Sequence, residues 1–355
     1  MSKAAELAAL IGSQSALSNR NLIINGAMQV AQRGTSFSSI SSDVYPVDRF
    51  FVRDVNTPAG EATVSQSTTT PDDFKNSLKI DVTTADTSLV AADQYKIEHR
   101  IEGQNISHLN WGTSAAKTVT LSFWIRSNKT GNTQVAVLNS DNNRAYVATF
   151  SISAADTWER KELTIDGDTS GTWLTTNGIG LRLRWGSFGS TYQTSSVDQW
   201  LGSQKMSRDD SPINFFDSTD NELYLTGVQL EVGEQATPFE HRSFGDELQR
   251  CKRYFERWTP DSNSHGITVA HAYSTGQAQL TFPFSEKRAA PTYSVSGNAN
   301  LRNASGDSAT ASLISSNAGK QSIFLTYSRG SGLSAGNASM FRLAADGYLD
   351  LDAEL

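Results

Sequence analysis

Hydrophobic and polar positions alternate with a period of two along much of the first two thirds of the chain. In YKIEHRIEG, Tyr95, Ile97, His99 and Ile101 share one face while Lys96, Glu98, Arg100 and Glu102 share the other. TVTLSFWIR repeats this with Val119, Leu121, Phe123 and Ile125, and IGLRLRW with Ile179, Leu181, Leu183 and Trp185 against Arg182 and Arg184. In NLIINGAMQV the same period puts Leu22, Ile24, Met28 and Val30 on one face. Successive strand side chains point to opposite faces, so runs of this kind predict antiparallel strands buried on one side. About ten such runs, separated by Gly, Asn and Asp clusters, predict a jelly-roll β-sandwich over residues 21–242.

One run breaks phase. In LYLTGVQLEVG (223–233), Leu223 and Leu225 alternate on odd positions, then Val228, Leu230 and Val232 on even ones. Only an inserted residue lets a strand do that, so the pattern predicts a β-bulge at Gly227. Gly233 and Pro238 then end the strand, because proline cannot donate to a ladder.

The period lengthens at two places. Residues 1–20 read as an N-terminal helical anchor, with Leu7, Leu10 and Leu17 on one stripe. In SFGDELQRCKRYFERW, Phe244, Leu248, Cys251, Phe255 and Trp258 recur at spacings of 4 and 3, which predicts a linking helix over 243–258. Ser243 is its expected cap, and Arg250, Lys252, Arg253 and Arg257 crowd the end that the helix dipole makes negative. Residues 259–355 read as a smaller C-terminal β domain, with runs at QLTFPF, YSVSG, SIFLTY and YLDLDAEL and a loop-rich stretch at 296–340. The fold class is therefore mainly β.

Composition narrows the functions. A formal net charge of −7 gives no electrostatic footprint for nucleic acid or anionic membrane. A single cysteine, Cys251, excludes an intrachain disulfide framework, and no apolar run approaches the ~20 residues that span a bilayer. Synthesis in a cytoplasm, without membrane insertion, is the expectation.

The segments NLIINGAMQVAQRGTS (21–36), YPVDRFFV (45–52), VTLSFWIRSNKTG (119–131), TWERKELTIDGDTSGTW (157–173), LYLTGVQLEVGEQATPFEHR (223–242) and LQRCKRYFERW (248–258) carry a resemblance. In that order they are similar to a family of tailed-phage virion proteins, tail fibres or phage structural proteins, whose central jelly roll resembles carbohydrate-binding modules. The resemblance covers roughly residues 21–258, and FPFSEKRAAPT (282–292) with LDLDAEL extends it more loosely. It implies a virion location, a homotrimer, attachment to other virion proteins through the N-terminal segment, and contact with a host surface glycan. A purely structural virion part without a ligand, such as a head fibre, decoration or tail adaptor, is the alternative. A third reading is the binding module of a polysaccharide-degrading enzyme.

No phosphate loop, nucleophile elbow or metal-ligand spacing is apparent, so neither enzymatic activity nor a cofactor is expected. The five histidines are scattered, His99 falls on an apolar strand face, and Cys251 reads as a small buried hydrophobe. Asp209 and Asp210 are neighbours in a loop and do not face each other as a glycosidase pair must. DGDTSGTW (166–173) approximates an Asp-box but occurs once, which fits a turn that seats Trp173 in the sandwich.

Aromatic residues are better candidates, because a pyranose ring stacks its C–H face on Trp or Tyr while polar neighbours satisfy its hydroxyls. Trp111, Trp200 and Tyr192, with Asp198 as acceptor, lie in irregular segments and form the candidate glycan site. The alternative places them over the open ends of the sandwich or in a subunit interface. Trp124 sits on the otherwise polar face of its strand, which points to a groove or a neighbouring subunit. Leu7, Leu10, Leu17, Phe244, Leu248 and Phe255 are the candidate oligomerisation residues, on the reading that the two helical stripes gather on one axis. Packing of the second helix on its own sandwich is the competing reading.

Overall fold

The computed structural model describes residues 19–56, 58–260, 266–302, 308–343 and 347–355. Leu7, Leu10, Leu17 and most of the expected N-terminal anchor lie outside them, as does His265. The chain divides into one unit of residues 1–247 with Leu355 and a second of 248–354.

The first unit is a jelly-roll β-sandwich. One sheet runs, in spatial order, Ser36–Phe37, Glu61–Ser67, Ser77–Thr84, Glu222–Val232, Val119–Ser127, Glu159–Ile165. The facing sheet runs Trp200–Leu201, Ala145–Ile152, Gly131–Leu138, Ile179–Phe188, Gln94–Glu102, Phe50–Val55, Val44–Val47. Every pairing in both is antiparallel, and the chain passes repeatedly from one sheet to the other. The inward residues are those the alternation selects: Tyr95, Ile97 and Ile101 meet Val119, Leu121, Phe123 and Ile125 in one core with Leu181, Leu183 and Trp185.

The phase change in the strand Glu222–Val232 is real. Its register against Val119–Ser127 shifts between Thr226 and Gln229, and Gly227 has φ +61°. Leu223 and Leu225 before the bulge, and Val228 and Leu230 after it, all reach the core. The bulge leaves backbone groups unpaired in the sheet, and the segment from Asn21 to Gly26 satisfies them. Val228 N donates to Gly26 O at 2.9 Å, and Asn21 Nδ2 donates to Val228 O at 3.2 Å. A side chain at Gly26 would meet Val228 O at 2.1 Å, so only glycine permits this approach.

Two expectations fail here. NLIINGAMQV is not a strand. Ile23, Met28 and Val30 are buried while Leu22 and Ile24 are half-buried, because the backbone turns left-handed at Asn25 and Met28. Asn25 stabilises that turn by bonding Val30 and Asp48. The polar face of Gln94–Glu102 is also not solvent-facing. Glu98 is wholly buried, 2.7 Å from Arg184 Nε, 2.7 Å from Arg100 Nε, 2.9 Å from Arg182 and 3.2 Å from Lys96.

The linking helix is shorter than its spacing predicts. It ends at Lys252, and Phe255–Trp258 is a strand paired with Tyr348–Asp352. That pairing buries Phe255 and sets Arg257 against Asp350 with two contacts of 2.7 Å. Tertiary pairing thus overrides the helical spacing, and Phe244, Leu248 and Phe255 do not form one helical stripe. Phe244 is exposed, Leu248 half-buried and Cys251 buried.

The second unit holds a three-stranded sheet and a seven-stranded sheet among its described residues. QLTFPF, YSVSG, SIFLTY and YLDLD are strands, as their alternation predicts. The stretch 296–340 carries more strand than expected, including Ala299–Arg302 and Ser312–Ala318, since pairing to neighbours supplies what Ser- and Asn-rich segments lack in propensity.

Gly227→Ala is expected to cost at least about 1–2 kcal/mol in urea unfolding, from left-handed strain alone. The new Cβ would also lie 2.8 Å from Phe74 Cζ and 2.9 Å from Trp124 Cδ1. A pH effect follows from Lys96, whose pKa is lowered from 10.5 to about 8 by burial first, with Arg184 and Arg100 adding and Glu98 opposing. Between those values the unfolded chain holds a proton that the folded chain has released, so this group makes stability rise with pH there. Lys96→Met is expected to remove that rise, roughly 1–3 kcal/mol, when urea midpoints at pH 7 and pH 10 are compared with wild type.

Candidate functional site

Three of the tryptophans collect in one place. Trp111, Trp173 and Trp200 are mutually edge-on, with centroids 4.7, 5.2 and 5.4 Å apart, and Tyr146 adds a fourth ring 5.3 Å from Trp200. Each indole N–H is occupied. Trp111 donates to Lys117 O at 2.8 Å, Trp200 to Asp166 O at 2.7 Å and Trp173 to Asp168 at 3.2 Å. Trp111 and Trp173 are buried in the sandwich core, and Trp200 packs half-buried against it. Asp168 builds the Asp-box-like turn by accepting two bonds from Arg144, at 2.7 and 2.6 Å, and one from Ser170 N at 3.0 Å. The turn seats Trp173, as the single copy of the motif suggests.

The remaining candidates are elsewhere or engaged. Asp198 is exposed, with a left-handed φ of 54°, and its carboxylate accepts from Thr149 N at 2.9 Å and Thr149 Oγ1 at 2.8 Å. Tyr192 packs on a separate cluster of Ala136, Leu138, Ala145, Phe188 and Met206. Asp198 lies beside the Tyr146–Trp200 pair, but Trp111 is buried and Tyr192 packs on the separate cluster, so the four do not form one ligand surface. Of the predicted loop aromatics, Trp111 closes the core, Trp200 packs half-buried on it beside Asp198, and Tyr192 belongs to another cluster.

The other titratable candidates are structural. His99 is buried among apolar groups, and burial, with Arg49 beside it, holds its imidazole well below the usual range. Asp210 is paired with Arg208.

Trp124 behaves differently. It lies half-buried on the outer face of Val119–Ser127, and no other aromatic ring pairs with it among the described residues. A cleft of about 550 Å³ opens there, lined by Trp124, Arg160, Asp72, Asp73 and Phe74 together with Pro238, Phe239 and His241. The chain builds it from three directions. Arg160 is the cross-strand partner of Trp124, so alternation alone brings them to the same face. The bulge at Gly227 leaves room for Phe74 and Trp124 to close over the strand.

The third wall is the segment that follows the closing strand, folded back over the sheet. Gln229 and Glu231, which point outward after the phase change, hold it. Glu240 N donates to Gln229 Oε1 at 2.8 Å, and Thr237 N to Glu231 Oε1 at 2.9 Å. Arg160 donates to Thr237 O at 3.1 Å. This fold-back sets Phe239 and His241 against Phe74, with centroids 5.1 and 5.3 Å away. ATPFEHR is thus a cleft wall as well as the exit from the sheet. Trp124 was visible in the sequence as an apolar residue on a polar face; Phe74, Phe239 and His241 carried no such signal.

Chemically, the cleft joins apolar ring surface to both donors and acceptors. Asp72 and Asp73 are exposed carboxylates at its rim, while Arg160 and His241 supply N–H groups. The second unit has two further concavities, of about 530 and 420 Å³, lined mainly by small and uncharged residues.

No family model matches the chain, and no curated protein does. Among solved structures, it is similar to the enzymatically active domain of tailspike protein 4 of bacteriophage CBA120, at 12% identity and a TM-score of 0.32. That alignment covers 60% of this chain and 21% of the other, so the chain spans about a fifth of the length of that solved domain. It is also similar to a family 11 carbohydrate-binding module of Clostridium thermocellum, at 10% identity, 57% and 98% coverage and a TM-score of 0.28. A C-terminal family 22 module of the same organism aligns at 10% identity, 57% and 98% coverage and a TM-score of 0.30. These likenesses are distant, and the assignment of the first unit as a jelly-roll β-sandwich stands on its own two sheets.

Proposed function

We propose that the chain is a non-catalytic attachment protein of a tailed-phage virion and that the Trp124 cleft contacts a glycan on the host surface. One observation carries the glycan reading. Half-buried Trp124 lines a cleft whose other walls supply apolar rings, two carboxylates, a guanidinium and an imidazole. Stacking needs the first and sugar hydroxyls need the rest. A virion location is supported by the order of family-like segments along residues 21–258 and by nothing in the cleft itself.

Stacking and a few hydrogen bonds on a small ligand leave one copy of the site weak, about millimolar or roughly −4 kcal/mol. A homotrimer would present three clefts together and raise avidity without new contacts. The second unit supports self-association. Val269, Phe324 and Met340 are exposed apolar residues on it, and its edge strand Ser312–Ala318 carries neither charge nor proline.

Trp124→Ala is expected to abolish binding of the purified protein to host cells while leaving the unfolding midpoint nearly unchanged, because the ring is only half-buried. Cell binding that persists in this folded variant would refute the site. Light scattering at micromolar concentration is expected to give three chain masses; a single chain mass would refute the trimer.

A further inference from the structure

Charge at the rim of the Trp124 cleft is unbalanced. Asp72 and Asp73 are both exposed and make no ion pair with any described residue. Arg160 brings the guanidinium of the cleft, but it is already paired with Glu162 through one nitrogen and donates to Thr237 O at 3.1 Å through another. No lysine lines the cleft, and Lys75, in the same loop as the two aspartates, is not among its walls. With Arg160 set against Glu162, the lining is left with the charge of the two carboxylates, and His241 is the one further wall residue able to carry a positive charge.

We propose that the cleft selects uncharged hexopyranoses and rejects sugars carrying a carboxylate, phosphate or sulfate. The proposal rests on the reading of this cleft as a glycan site. Asp72 and Asp73 accept hydrogen bonds from neighbouring hydroxyls of the ring, the role a carboxylate fills best because it has only acceptors. Trp124 and Phe74 take the C–H face. An anionic substituent would stand near both carboxylates while Arg160 is already engaged by Glu162 and Thr237 O, and like charges placed together suppress the wrong ligand more than they affect the right one. The partner class is then the neutral hexose units of a surface polysaccharide, not its uronic, sialic or phosphorylated units.

Ligand-observed NMR on the full chain tests this with matched pairs: methyl glycosides of glucose, galactose and mannose, each against its 6-carboxylate counterpart. At least one neutral glycoside is expected to bind in the millimolar range, with its glycuronide about tenfold weaker or undetected. The double variant Asp72→Asn, Asp73→Asn is expected to shrink that ratio several-fold by strengthening the acidic ligand, and salt at about 1 M is expected to shrink it in wild type. Unchanged thermal unfolding of the variant establishes that it is folded. Equal binding of glycoside and glycuronide by wild type, or a ratio untouched by the double variant, would overturn the selectivity while leaving the glycan site standing. Absence of signal from every sugar, or signal that survives Trp124→Ala, would overturn the site itself.

Discussion

The strand Glu222–Val232 occupies the middle of its sheet, between Ser77–Thr84 and Val119–Ser127, and feeds side chains to the core on both sides of Gly227, although Val232 at its end is exposed. With a period of two it can do so only by gaining one residue, and the bulge at Gly227 is that residue. An interior bulge leaves backbone groups without sheet partners, and a buried unpaired group costs about 1–3 kcal/mol. The segment from Asn21 to Gly26 therefore lies against Val228. The exit segment in turn clamps it: Glu240 accepts from Asn19 N and Asn21 N at 2.8 Å each, and Glu247 accepts from Asn25 N at 2.6 Å. The same phase change aims Gln229 and Glu231 outward, which is what holds residues 237–240 down and raises the wall of the cleft. Closing the sandwich and forming the cleft are thus one structural event.

The two outer faces of the sandwich solve the polar-face problem in different ways. On the seven-stranded sheet, four cations surround Glu98 and hold its carboxyl well below the usual range against the opposing effect of burial. Such a cluster stabilises only while every member is present, since removal of the one anion would leave buried positive charge unopposed. On the six-stranded sheet the face stays partly open. Lys79 bonds Glu222 at 2.7 Å and Asp81 at 3.1 Å, and Trp124 stands beside Arg160. Openness there, and not ring count, is what separates the Trp124 cleft from the core.

The distribution of tryptophan makes the same point. Trp111, Trp173 and Trp200 have the larger cluster, but each has spent its N–H on backbone or carboxylate and its faces on neighbouring rings. Trp124 pairs with no other ring among the described residues and lines an open cleft.

Alternation of side chains sufficed to identify the sandwich, its inward residues in Gln94–Glu102, Val119–Ser127 and Ile179–Phe188, and the bulge at Gly227, because a strand's period is a local property of the backbone. It also marked Trp124 as out of place. Other features were decided only by tertiary structure. Phe255 and Trp258 fit a helical spacing, yet pairing with Tyr348–Asp352 made them strand, and no local window contains that partner. Asn25 and Met28 broke the apparent alternation of 22–30 through left-handed turns that depend on contacts with Asp48. Phe74 and Phe239 are 165 positions apart, and chain order offers no reason for them to meet. They do so because a fold-back anchored on Gln229 and Glu231 returns the chain across the sheet, so the cleft exists only once the sandwich has closed.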